Sequence, residues 1–595
     1  MSLRASWSWE LAAPRARLWE YLADTDWVNE HAGLPKITAR YSPVDGGGSR
    51  RFAWFRKGPV LFEWEERPTI WQVPQYFAVD RLYTKGPLAR FLTSTRLVEI
   101  DAGHTRVEVA VELRAATPLT EPLLPLVAAQ GKRGAARAFR LAEQLAAKPR
   151  ELAPPRALGA FARLQGDGVP GELIAALAAF VENAQDRDLA RMRPYELADR
   201  WRLSRRGVLR AFLSATRRGL FNLSWNVICP GCRGPSPAIE ALGDLQAGYH
   251  CPACNVPFDA VFDRSVEVTF DAKPLGRAKD VGLFCIASPQ RSPHVFAQLA
   301  VGAEEERGCE LALQPGVYDV NAMGVGLAPF VVSTEEQSGA IDVFLHPLTG
   351  VDVTHAVAPG TQRVTIVNER DAQTIVRIED GRWPDTIVTA AAVTALQEFR
   401  DLFSSQVLAP GLQLGIETIA VLFTDLIGST AMYTRTGDAS AFRIVADHFD
   451  VVRDIVDRYE GAVVKTIGDA VMAVFTDPAR CLDAAMELDA SVSTISARGE
   501  PLRMRVGFHA GPCIAMRAND RIDYFGTTVN LAARLHSMAG AGEVTLSRST
   551  AEIPRVAARL RALGQLPAYE HAGVKGLREP VEILRLHTQL QPEPA

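Results

Sequence analysis

The spacing of apolar residues changes character several times along this 595-residue chain. Near the N-terminus a short alternating stretch precedes a helix carrying Leu18, Tyr21 and Leu22, and strand-like pieces follow. The clearest is 106–114, where Val107, Val109, Val111 and Leu113 alternate with Glu108, Ala110 and Glu112, the period of a half-buried strand. An unbroken run of good helix formers predicts a long helix over 123–147. Residues 148–157, punctuated by prolines, read as a linker. Two helices over 194–201 and 204–218, joined by a short turn, are followed by a strand or wing at 220–228. Strand-like, turn-rich pieces then fill 266–384 and suggest a β-sandwich. From 385 to 408 the period lengthens, and Val388, Ala392, Ala395, Phe399 and Leu402 fall on one helical stripe that Pro410-Gly411 ends. Beyond it, 417–424 is a buried strand, and Phe442, Val445, Phe449, Val452, Val456 and Tyr459 stripe a helix. Strands at 462–466 and 471–475, a helix at 479–492 and a strand at 503–511 complete a ferredoxin-like βαββαβ order.

These patterns describe a multidomain α+β chain, since one hydrophobic core does not extend over so many residues. The expected units are 1–150, a basic winged-helix-like segment at 165–225, a cysteine-bearing segment at 226–265, the sandwich at 266–384, a helical transducer at 385–415 and a catalytic unit at 416–590. Two transducer helices are expected to pair across a dimer. The N-terminal unit, a strand, a helix, a curved sheet and a closing long helix, resembles the helix-grip fold of the START/polyketide-cyclase-like (SRPBCC) superfamily. Its Trp7, Trp19, Trp27, Trp54, Trp64 and Trp71 leave two readings open, a cavity for an apolar small-molecule effector or rings that fill a core.

Composition adds little direction: 47% of residues are hydrophobic, 23% are charged, and the formal net charge is only −4. No global field therefore draws the molecule to nucleic acid or anionic membrane. The longest apolar runs are too short to span a bilayer, and the N-terminal stretch lacks a secretory apolar region, so a soluble, cytoplasmic protein is expected. Charge is concentrated locally. Between Arg187 and Phe221 lie ten arginines, no lysine and three acids, a local charge of +7 that suits a phosphate backbone. A solvated basic face on a packing module is the preferred reading, with DNA binding as the alternative.

Cys229-Pro-Gly-Cys232 and Cys251-Pro-Ala-Cys254 are two CxxC knuckles with eighteen residues between them, the spacing of a zinc ribbon. Four thiolates close a tetrahedral shell, so this site is expected to hold one structural Zn²⁺, with a redox dithiol as the weaker alternative. In the catalytic unit, Asp425 ends the first strand and Asp469 occupies the turn between the second and third. Paired carboxylates beside the Ile427-Gly428-Ser429 loop suit two hard cations and a triphosphate, with the loop N–H groups facing the phosphates.

VLFTDLIGST, VVKTIGDAVMAVF and DYFGTTVNLAARL, in this order, resemble the class III adenylate/guanylate cyclases over about 416–590. The resemblance implies a catalytic domain working as an antiparallel homodimer with sites at the interface. Asp425 and Asp469 then look like ligands of two Mg²⁺ or Mn²⁺ ions, Lys465 and Asp523 like purine readers, Asn530 like the ribose-orienting residue and Arg534 like the transition-state arginine. Lys575, in GVKGLREPV, resembles a phosphate-contacting lysine. In this family the metal aspartates come from one protomer and the other positions from its partner, so a full set on one chain implies two equivalent sites. Lys465 donates only and ionised Asp523 accepts only, which matches adenine and mismatches guanine. The expected function is an adenylate cyclase regulated by its N-terminal units. A guanylate cyclase, or a nucleotide-sensing DNA-binding regulator with a silent cyclase domain, are the alternatives. The stretch from the cysteine-bearing segment into the sandwich resembles an uncharacterised domain that accompanies some bacterial cyclase domains.

Overall fold

The computed structural model describes all residues except 1, 44–48, 148–158, 185, 187, 253, 254, 277–288, 290, 291, 337, 338, 498, 499, 566, 574–578 and 588–595. Cys254 and Lys575 lie outside the described residues. No helix among those described is long and apolar enough to cross a membrane.

The catalytic unit is built round the strand Leu414–Leu426, which is apolar on both faces. It pairs antiparallel with Ala470–Phe475 on one side and Met504–Ala518 on the other. Gly461–Ile467 continues the sheet outward, so the four strands adopt the ferredoxin-like order that the chain pattern suggests. Ala420, Leu422, Val471, Ala473 and Phe475 face the helices Asp438–Arg458 and Pro478–Val492 and form one core with them. The opposite face is covered by the chain itself. Val421, Phe423, Met472, Val474 and Tyr524 share a single core with Leu209, Phe212, Trp225 and Phe399 from the preceding units.

This covering layer contains the helices Pro194–Trp201 and Arg205–Arg217, joined through Arg202 at φ 59°. The strand Asn222–Val227 follows and pairs antiparallel with Val266–Asp271, so the cysteine knuckles form an excursion from one two-stranded ribbon. The boundaries expected at 225 and 265 therefore cut through a continuous unit. The transducer expectation also changes. Residues 390–402 form two short helices, Ala390–Thr394 and Gln397–Leu402, instead of one long helix. Val388, Ala395 and Phe399 are buried in the chain's own core, where Phe399 meets the Trp225 ring edge-on at 6.0 Å. Three of the five residues of their apolar stripe are thus covered within the chain, with Ala392 and Leu402 half-buried.

Upstream, Val295–Val301 and its neighbours face the sheet of Glu306–Leu313, Gly360–Asn368, Ala340–His346 and Gly350–Val353 across one core. The N-terminal unit is an antiparallel sheet with the helix Leu124–Ala146 against it. Ile70–Gln72 at its edge pairs with Val295–Val301, joining both units in one thirteen-stranded sheet. Trp19, Trp27, Trp64 and Trp71 are buried, and the Trp71 Nε1–H donates to Val295 O at 3.1 Å. These four rings fill cores, while Trp7 and Trp54 are half-buried.

Candidate active site

Three strand ends and one helix bring the predicted residues into two groups. Pairing of Thr424 with Val471 places Asp425 beside the hairpin turn, where Gly468 at φ 67° takes the left-handed conformation and aims Asp469 at the same point. Burial, and next the charge of Asp469, push the Asp425 carboxyl above its ordinary range. Arg505, directly across the strand pair, partly offsets this through Nη2 at 3.0 Å from Asp425 Oδ2. Asp469 Oδ2 is buried with no hydrogen-bond partner. Two crowded carboxylates, one with an orphaned oxygen, are an acceptor set that suits a divalent cation.

The adjoining loop turns at Gly428, φ 74°, into the helix Ser429–Thr436. Here the structure corrects one expectation. The Ile427 N–H donates to Arg503 O at 2.9 Å and is not available to a phosphate, so the N–H groups of Gly428 and Ser429 remain as the loop's candidates.

Lys465 and Asp523, 58 residues apart, meet directly, with Nζ donating to Oδ2 at 2.6 Å. Asp523 Oδ1 also accepts from the Tyr524 N–H at 2.8 Å, which fixes the carboxylate plane. Asn530 and Arg534 stand one turn apart on the exposed side of the helix Thr527–Met538. That helix lies so close to the sheet that a Cβ on Gly507 would sit 2.1 Å from the His536 backbone nitrogen. His536 stacks on Phe423 at 5.9 Å between ring centres. Among the described residues, no hydrogen bond or ion pair joins Asn530 or Arg534 to Asp425 or Asp469 within one chain.

Sequence reading missed Arg505, His536 and His448. Arg505 takes the polar position in the alternation of Met504, Val506 and Phe508, as an ordinary outward-facing residue would, and its partner became visible only with the strand register. His448 is fully buried on the helix Asp438–Arg458, and burial lowers its pKa to about 4 against the opposing pull of Asp469. Nothing in the helix periodicity distinguishes it from a core residue.

Away from this site, the sulfur atoms of Cys229, Cys232 and Cys251 are buried and lie within 4.8 Å of one another. The described residues that flank the two knuckles repeat one pattern. The Arg233 N–H returns to Cys229 O and the Asn255 N–H to Cys251 O, each at 2.8 Å, and Arg233 and Asn255 both take a left-handed φ, 53° and 54°. Such converging thiols fit a zinc ion.

The arginine-rich helices are largely neutralised. Arg191 and Arg193 hold buried Glu267, Arg205 pairs with Asp199 and Asp385, and Arg218 pairs with Asp167. Arg206 and Arg210 reach across to Asp457 of the catalytic unit at 2.7 and 2.8 Å. The second helix is thus docked, and much of its charge is already matched.

Residues 413–580 match the family described as adenylate and guanylate cyclase catalytic domain, and residues 160–281 match a family of unknown function (DUF5939). An uncharacterised protein of Mycobacterium tuberculosis is 35% identical over 29% of this chain and 41% of its own length. The receptor-type adenylate cyclase ESAG 4 of Trypanosoma brucei brucei is 28% identical over 28% of this chain and 17% of its own. Guanylate cyclase 32E of Drosophila melanogaster is 27% identical over 24% of this chain and 13% of its own. The chain thus spans less than half the length of these curated relatives. Among solved structures, the adenylyl cyclase CyaB from P. aeruginosa is 24% identical over 29% of this chain and 95% of that one, with a TM-score of 0.25. The C-terminal part of the chain is an adenylate/guanylate cyclase catalytic domain.

Proposed function

We propose that this chain is an adenylate cyclase, converting ATP to 3′,5′-cyclic AMP and pyrophosphate in a homodimer. The observation that carries the choice of ATP is the Lys465–Asp523 contact at 2.6 Å. A lone donor and a lone acceptor held side by side match N1 and the 6-amino group of adenine, and guanine reverses both. Asp425 and Asp469 would hold the divalent ions, which when bound lower the pKa of the ribose 3′-hydroxyl and neutralise the phosphates. Gly428 and Ser429 N–H groups would receive phosphate oxygens, Asn530 would orient the ribose, and Arg534 would meet charge developing on the α-phosphoryl group. Lys575 is proposed as a further phosphate contact.

That no hydrogen bond or ion pair among the described residues joins Asn530 or Arg534 to Asp425 or Asp469 within one chain accords with assembly from two copies. The large exposed apolar side chains of the catalytic unit, Ile427, Phe442, Ile467 and Phe525, support it too. Three of them lie within two residues of Asp425, Asp469 or Asp523, so a second copy seated there would cover apolar surface and complete the site together. Cys229, Cys232, Cys251 and Cys254 are proposed to hold one structural Zn²⁺.

The test is full-length protein and its Asp469→Ala variant, supplied with ATP or GTP and Mn²⁺, with products measured by mass spectrometry. Cyclic AMP from the wild type alone is expected. Cyclic GMP as the main product would overturn the purine reading, and no product from either nucleotide would overturn the enzyme reading.

A further inference from the structure

The strands that carry the purine-reading pair are both peripheral. Among the described residues, Gly461–Ile467 is the outermost strand on its side, and Arg521–Phe525 pairs only with the far end of Met504–Ala518. A register shift between Val463 and Lys465 also interrupts the ladder just before the lysine. Strands so placed have backbone groups that the sheet does not hold, and their positions depend on what meets them from outside.

One short stretch of the covering layer meets both. Gln397 Oε1 accepts from the Val463 N–H at 3.0 Å, two residues before Lys465 and at the interrupted register. Arg400 Nη2 donates to Ile522 O at 2.7 Å, and its Nη1 donates to Thr394 O at 3.3 Å. The Thr394 and Tyr524 hydroxyls lie 3.4 Å apart, so both neighbours of Asp523 are held by 394–400. The stretch is itself anchored. Phe399 is buried against Trp225, and Glu398 pairs with Arg210 of the basic helix.

We propose that Gln397 and Arg400 are positioning residues that set the separation of Lys465 and Asp523, and with it nucleotide affinity and the preference for adenine over guanine. This rests on the adenylate cyclase reading of the site. Neither residue touches substrate; each acts through the backbone of a strand that bears a reading residue. Selectivity between two purines is a matter of unpaired polar groups, so a displacement of either strand relaxes it before it affects the reacting phosphates. The unit matching the family of unknown function thereby reaches the purine site through Trp225 and Phe399.

The experiment is steady-state kinetics of full-length protein with ATP and with GTP, comparing wild type, Arg400→Met, Gln397→Leu and Arg400→Lys. For Arg400→Met and Gln397→Leu, KM for ATP is expected to rise about tenfold, with a matching fall in the ATP-to-GTP ratio of kcat/KM and kcat within about threefold. Arg400→Lys keeps a donor for Ile522 O and is expected to restore most of the selectivity. Unchanged KM and selectivity in both apolar variants, or a fall in kcat alone, would overturn the proposal. If Arg400→Met fails to fold, Gln397→Leu decides in the same way. If the wild type makes no product, the cyclase reading falls separately. The positioning role is then read from displacement of a fluorescent ATP analogue by ATP and by GTP, where an unchanged affinity ratio in the variants overturns it.

Discussion

Lys465 and Asp523 satisfy each other in the absence of a base, so under the proposed function a purine would enter by exchanging one hydrogen-bonded pair for two. Replacing the donor with an acceptor leaves two carboxylates facing adenine. Lys465→Glu is expected to lower kcat/KM for ATP at least about tenfold and to abolish the preference for ATP over GTP, measured by competing the two nucleotides in one reaction. Buried histidines set a different sensitivity. Burial, reinforced by Arg233 and Arg377, lowers the His294 pKa to about 3, and burial lowers that of His509 to about 4. Both are neutral in the fold, whereas the unfolded chain takes up protons near pH 6.5. Their stabilisation is complete above pH 6.5 and is lost as pH falls toward 4 and then 3, by up to about 1.4 kcal/mol per unit for each group. The melting temperature is expected to drop steadily from pH 6.5 to 5, with a shallower slope in His509→Gln. A slope unchanged in that variant would remove His509 as a contributor.

At the level of elements, the decisive contact is that of the helix Thr527–Met538 on Met504–Ala518. Only a hydrogen fits at Gly507, because a methyl group would strike the helix backbone at His536. Gly507→Ala is expected to shift the helix bearing Asn530 and Arg534, destabilise the fold by about 1–3 kcal/mol and lower activity well beyond that loss. Activity retained in a folded variant would show that the helix position is not critical. The knuckles offer an independent test. One zinc per chain is expected by elemental analysis, and Cys232→Ser or a strong chelator should remove it and lower the melting temperature. The loss should spread to the sandwich, because Arg233 donates to Arg382 O at 2.9 Å and Arg377 to Gly231 O at 3.2 Å. Helix and strand types in the catalytic unit were readable because 3.6- and 2-residue periods run cleanly there. At 390–402 the same period misled: a stripe records burial, and it cannot say whether the burying partner is another chain or the same one.

At the scale of the molecule, the covering layer and one face of the catalytic sheet share a hydrophobic core, so the two are packed as one body in this structure. The proposed homodimer predicts complementation. Asp469→Ala and Arg534→Ala should each be inactive alone, and equal mixtures should recover about a quarter of wild-type activity, since half the dimers then hold one intact site of two. No recovery after subunit exchange, verified by differently tagged chains, would mean that each site is built from one chain.

The sequence by itself determined the catalytic fold, the paired aspartates, the donor–acceptor character of Lys465 and Asp523, and the cysteine knuckles. These depend on residue type and local spacing, which the chain carries directly. Only the tertiary structure decided which arginines are already neutralised, that Ile427 spends its N–H on Arg503, and that the N-terminal sheet runs on into the sandwich through Ile70–Gln72. It alone brought 394–400 against the strands that carry Lys465 and Asp523. Each of these is a contact between residues distant in the chain, where a backbone amide or a guanidinium has many chemically equivalent partners and packing selects one.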